Sequence, residues 1–148
     1  MIATRIKGAL AGAIIGAIGG PLVGGLTGLV LLLIVWSVQG LFFAQPFADV
    51  TATVRWAAVF GLLLAPLSAS VGVITGIPVG AFGRFFASLA NSGSFGGVVG
   101  AAIGLFVAAV LFADNNDPGP MVVAIITLSI TGVAVGAGVK QLRNKQFF

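Results

Sequence analysis

The chain has 148 residues, of which 59% are hydrophobic and only 7% charged. Soluble domains carry about 25% charged residues, so three acids and seven bases cannot wet a surface of this size, and an integral membrane protein is implied. The absence of His, Cys and Tyr excludes disulfides, thiolate or imidazole metal sites, Cys- or His-based nucleophiles and His-ligated haem or chlorophyll.

The first apolar run covers 8–38 and follows Arg5 and Lys7. It has about 31 residues, or about 46 Å as a helix, against a hydrocarbon core of about 30 Å. A cleaved signal peptide is disfavoured, because the run is roughly twice the length of a signal h-region and no polar cleavage region follows. Gly19-Gly20-Pro21 lies in its middle, where the missing proline donor predicts a kink or a helix projecting beyond the membrane. A broken helix forming a substrate site is disfavoured by the lack of polar neighbours. The stretch 40–54, with Phe42, Phe43, Pro46, Phe47 and Asp49, is too short and broken to span, and reads as a surface loop.

The second run covers 56–82, between Arg55 and Arg84, and Phe82, Phe85 and Phe86 bracket the turn that follows it. The third covers 95–112. The polar segment 114–120, Asp-Asn-Asn-Asp-Pro-Gly-Pro, predicts a turn that stops both flanking helices. The fourth run covers 121–139 and ends at Lys140. No run alternates polar and apolar residues as a barrel strand would, and helices satisfy their own backbone in lipid. The expected fold is therefore all-α, a single domain over 1–148 built as a four-transmembrane-helix bundle.

Four crossings put both termini on one side. That side collects Arg5, Lys7, Arg84, Lys140, Arg143 and Lys145, while Asp49, Asp114, Asp117 and Arg55 fall on the other. The positive-inside rule then predicts cytoplasmic termini, in a bacterial inner, plasma, thylakoid or other energy-transducing membrane. Trp36 and Trp56 fall near the outer ends of their segments, where indole rings prefer the interface. Together with Arg55, Arg84, Lys140, Arg143 and Lys145 they are the expected interface anchors. The bases are spread over short segments without interleaved stacking aromatics, so nucleic acid is not an expected partner. Membrane lipid is, with anionic headgroups attracted to the basic side.

Glycine supplies 23 residues, and their spacing matters more than their number. Gly8, Gly12, Gly16, Gly20, Gly24 and Gly28 recur every fourth residue; so do Gly72, Gly76 and Gly80 after Ser68, and Gly96, Gly100 and Gly104 between Ser92 and Ala108. The fourth run offers Gly132 and Gly136. Residues four apart share a helix face, and a bare face admits a neighbouring backbone, whose dispersion and weak Cα–H···O contacts supply much of helix association in lipid. These rows resemble the glycine-zipper pattern, a packing motif common to unrelated membrane proteins. Each step of four turns the row about 40°, so the first row winds too far for one straight neighbour and predicts a crossing partner or two partners.

A weak internal repeat is visible. Gly24-Gly25-Leu26-Thr27-Gly28 reads against Gly96-Gly97-Val98-Val99-Gly100, and Leu67-Ser68 before Gly72 and Gly76 against Leu128-Ser129 before Gly132 and Gly136. Two duplicated helical hairpins would follow, related by a pseudo-twofold axis along the membrane normal, as in parallel-repeat membrane proteins.

No ionisable residue falls inside the four cores, which removes the usual basis for proton relays and ion pumps. Arg55 and Arg84 sit at segment ends, where snorkelling explains them. Thr27, Ser37, Ser68, Ser70, Thr75, Thr127, Ser129 and Thr131 are expected to satisfy themselves on backbone carbonyls, with a pore lining or interhelical contact as the alternative. A Ser nucleophile would lack a base, and no catalytic, cofactor or metal residue is assigned. Gln39 and Asn91 are the only side chains to consider for a pigment or quinone, without positive support. The expected role is a structural or accessory subunit of a larger membrane complex, with other membrane subunits as partners in preference to copies of itself. The alternatives are a homo-oligomeric, holin-like pore and a carrier of a small neutral or apolar solute.

Overall fold

A computed structural model of the chain describes residues 2–42, 50–83, 85–86, 88–111 and 119–145. Four helices account for nearly all of them: α1 (Ile2–Phe42), α2 (Val50–Phe82), α3 (Leu89–Leu111) and α4 (Gly119–Asn144). All four contain stretches long and apolar enough to cross a membrane, from Ile2–Val35, Gly61–Phe82, Leu89–Leu111 and Gly119–Asn144. The chain is thus an all-helical bundle of the kind an integral membrane protein forms.

Most helices run past the apolar segments that predict them, because backbone hydrogen bonding continues through the flanking residues. The reading of 40–54 as a loop is corrected in this way: α1 continues to Phe42 and α2 begins at Val50, leaving 43–49 outside the described residues. Pro21 does not end α1, which is helical on both sides of it, and α2 likewise runs through Pro66 and Pro78. Its 41 residues reach about 62 Å at 1.5 Å per residue. At the start of α4, Gly119 and Pro120 belong to the helix instead of preceding it, since proline in a first turn gives up only a donor that has no helical acceptor. The rest of the predicted polar turn lies outside the described residues. Ser88 caps α3, its Oγ accepting the Asn91 N–H at 3.2 Å, as a serine before a helix commonly does.

Sequential helices pair antiparallel, α1 along α2 and α3 along α4, and these are the two most extensive interfaces. α4 also packs on α1 and α2, and α2 packs more narrowly on α3. Among the described residues α1 and α3 do not meet. The section is therefore a rhombus, with α2 and α4 across its short diagonal and α1 and α3 at the far corners. Val79 of α2 clusters with Val135 and Val139 of α4, flanked by Ile15, Phe86 and Phe95. Leu32 and Val123 form a second cluster with Leu31 and Val35 towards the other end. Outward, α1 presents Ile6, Leu10, Ile14, Ile18, Leu22 and Leu26, a row of large apolar side chains beside its glycines.

Candidate functional site: glycine faces, buried hydroxyls and a basic end

The glycines that recur every fourth residue in α1 all turn inward and are buried. A Cβ built on Gly8 would overlap the carbonyl oxygen of Gly80, one on Gly12 that of Gly76, one on Gly16 that of Gly72 and one on Gly20 that of Ser68. The reverse substitutions meet the same obstacle: on Gly72 a Cβ would stand 3.0 Å from Gly16 Cα, and on Gly76 2.7 Å from the Gly12 carbonyl carbon. Backbone here touches backbone, which a side chain on either helix would prevent. Higher in the row the neighbour changes. Gly24 lies against the Ser68 hydroxyl and, at 3.0 Å from the site of a Cβ, Thr131 Oγ1 of α4. Gly28 faces Leu64 Cδ1 of α2 at 2.8 Å and Thr127 of α4 at 3.6 Å. The winding of the row is thus met inside the chain by two helices, and it carries no argument for a further chain.

The second hairpin repeats the arrangement. Gly96 and Gly132 oppose each other as Gly16 and Gly72 do, Gly100 meets the Leu128 carbonyl, and Gly136 meets that of Ser92. Gly104 rests on Ile125, whose Cα would stand 2.8 Å from a Cβ there. Thr75 of α2 enters this second contact, its Cγ2 within 2.8 Å of a Cβ on Gly96 and 3.4 Å of one on Gly136. Four glycines behave differently. Among the described residues a Cβ on Gly25 or Gly138 would meet nothing within 4 Å, one on Gly61 only the Gly25 carbonyl oxygen, at 3.9 Å, and one on Gly19 only Val135 Cγ2, at 4.0 Å.

The hydroxyls divide into two groups. Ser37 donates to Leu33 O at 2.7 Å, Ser70 to Pro66 O at 3.1 Å, Ser129 to Ile125 O at 2.7 Å, Thr131 to Thr127 O at 2.8 Å and Ser92 to Leu89 O at 2.9 Å. Ser68, Thr75 and Thr127 are fully buried, yet their hydroxyls find no partner among the described residues. Ser68 is pressed against Gly24 and Thr75 against Gly96, whereas Thr127 meets Gly28 at ordinary van der Waals distance. Nothing in their spacing separates them from the self-satisfied group.

The basic residues are less uniform than a snorkelling reading implies. Arg55, Lys7, Arg5 and Lys145 are exposed, whereas Lys140 and Arg143 are half-buried. Lys140 Nζ donates to Gly83 O at 2.7 Å, and Arg143 Nη1 donates to Gly80 O. Both therefore cap the C-terminal carbonyls of α2, where a cation is favoured by the helix dipole. Arg5 lies over the Phe82 ring, 5.6 Å from its centroid, at a distance suited to a cation–π contact. Trp36 and Trp56 are in α1 and α2, but their side chains, like that of Gln39, fall outside the described residues, as does Arg84. Asn91 is exposed at the start of α3. Comparisons of the chain with known protein families, curated proteins and solved structures found no match.

Proposed function

We propose that the chain is a structural or accessory subunit of a larger membrane assembly, working through close helix packing and carrying no catalytic chemistry of its own. The observation that carries this reading is the open backbone at Gly25 and Gly61. Glycine within a helix costs about 1 kcal/mol relative to alanine in water. Most of the glycines along the four-residue rows have a neighbour in the chain that requires them, but among the described residues no atom comes within 4 Å of a Cβ at Gly25 and only Gly25 does at Gly61. Together they form a bare patch shared by α1 and α2, of the kind that admits a partner helix in lipid.

Several finer features belong to the same proposal. The opposed rows form glycine zippers, one in each hairpin. The two hairpins are duplicates, and support for this comes from matched pairs: Gly16 with Gly72 against Gly96 with Gly132, and Gly12 with Gly76 against Ser92 with Gly136. A twofold relation would exchange α2 with α4 and set equivalent residues facing across the axis, which suits the contact of Val79 with Val139. This register differs from the phrase match of 24–28 with 96–100, so the glycine pairs are the better guide to the repeat. Both termini are placed in the cytoplasm, on the basic side. The patch is offered to a different membrane subunit in preference to a second copy.

Extraction in mild detergent followed by native mass measurement tests this. The expected result is co-purification with a larger hetero-complex. A ring of this chain alone that conducts in planar bilayers would replace the proposal with the pore reading, and a solitary chain would remove it.

A further inference from the structure

We propose that the end of the bundle carrying both termini is a binding site for the phosphodiester headgroup of an anionic phospholipid. This is independent of whether the chain serves as an accessory subunit. Lys140, Arg143 and Arg5 converge on a few residues at the end of α2: Lys140 on Gly83 O, Arg143 on Gly80 O and Arg5 on the Phe82 ring. Lys7 and Lys145 belong to the same end, exposed. The acids of the chain, Asp49, Asp114 and Asp117, lie in sequence between α1 and α2 and between α3 and α4, and no carboxylate stands among the described residues here.

Charge balance is the core of the inference. A helix C-terminus supplies the equivalent of about −0.5 charge, far less than three converging cations carry. Two of these cations are also held in place. Arg143 is half-buried and Gly83 admits it, for a Cβ on Gly83 would stand 2.7 Å from Arg143 Nη1 and 2.8 Å from its Cδ. A guanidinium has five N–H donors, and Gly80 occupies a single nitrogen. Bidentate pairing with phosphate is the geometry such a group favours. Lys140 directly follows the apolar stretch of α4, so in a bilayer these groups stand at headgroup depth, where the anion at hand is a lipid phosphate. An exposed, mobile set of snorkelling side chains would show no such fixed convergence.

The test is native mass spectrometry of the full chain in detergent, titrated with dioleoyl phosphatidylglycerol or with dioleoyl phosphatidylcholine. The expected result is at least tenfold stronger retention of the anionic phosphatidylglycerol, with the preference abolished in Arg143→Gln and Lys140→Gln. Arg5→Gln, at an exposed position outside the helix cap, should weaken it several-fold without changing the melting temperature, and so tests the site even if the cap variants fail to fold. Equal retention of the two lipids, or a preference unchanged in Arg5→Gln, would overturn the proposal. Displacement of the lipid by millimolar inorganic phosphate would also overturn it, by assigning the site to a free anion.

Discussion

Gly16 of α1 and Gly72 of α2 face each other so closely that a Cβ on either would overlap the carbonyl oxygen of the other. Neither backbone can retreat alone, because the pairs on both sides, Gly12 with Gly76 and Gly20 with Ser68, hold the helices at the same separation. Overpacking a tight contact costs about 1–3 kcal/mol and occasionally more. Gly16→Leu and Gly72→Leu should each lower stability by about 3 kcal/mol, read as a fall in melting temperature in detergent. Gly138→Ala, where a Cβ meets nothing among the described residues, should instead raise it by up to about 1 kcal/mol, the helix preference of alanine over glycine.

The unpartnered hydroxyls predict an opposite sign. A buried donor without an acceptor costs about 1–3 kcal/mol, whereas an apolar group of the same shape is nearly neutral. Thr75→Val and Thr127→Val should therefore leave stability unchanged or raise it by up to about 1 kcal/mol. Thr131→Val removes a formed bond within α4, to Thr127 O, and should lower it by at most about 1 kcal/mol, the net scale of one intramolecular hydrogen bond. Reversible unfolding in mixed micelles would rank the three.

Because the largest interfaces lie within each hairpin, the halves should tolerate separation. A chain cut between 86 and 88 and co-expressed as two fragments is expected to reassemble, with the tagged first hairpin retaining the second on a column. Loss of one fragment under conditions that keep the intact chain folded would show that the covalent link is needed.

How much of this was legible beforehand differs by feature. Four apolar stretches free of charge are enough to place four helices, since length and hydropathy decide that question locally. Spacing by four shows that Gly8 through Gly28 share a face, but not that Gly8 opposes Gly80 or that Gly24 and Gly28 pass on to Thr131 and Thr127, which depends on three helices at once. Pro21 reads as a kink because its missing donor is local, and α1 is helical on both sides of it. Lys140 and Arg143 read in the sequence as interface anchors. Their acceptors, Gly83 and Gly80, lie on another helix far away in sequence, and only the bundle brings them together. Ser68, Thr75 and Thr127 resemble Ser70 and Thr131 in sequence, and no local feature marks which hydroxyls turn to a backbone carbonyl.

The cap at the end of α2 can be tested through glycine as well as through charge. Gly83→Ala places a methyl against Arg143 Nη1 and the Val79 carbonyl oxygen, both within 2.8 Å. It should displace the guanidinium and lower stability by about 1 kcal/mol, the scale of a cation at a helix C-terminus. Combined with Arg143→Gln the two losses should add only in part, because both remove the Arg143 contact while the Val79 carbonyl oxygen still meets the methyl. Additive losses would mean that the guanidinium is not held there.

The proposal that this chain binds its neighbours through bare backbone is tested most directly by comparing Gly25→Leu with wild type in two assays, native mass of the membrane assembly and melting temperature of the isolated chain. The expected outcome is a chain that melts as before but no longer carries its larger partners. An assembly that survives Gly25→Leu intact, or a chain that never left the detergent micelle with any partner, would contradict it.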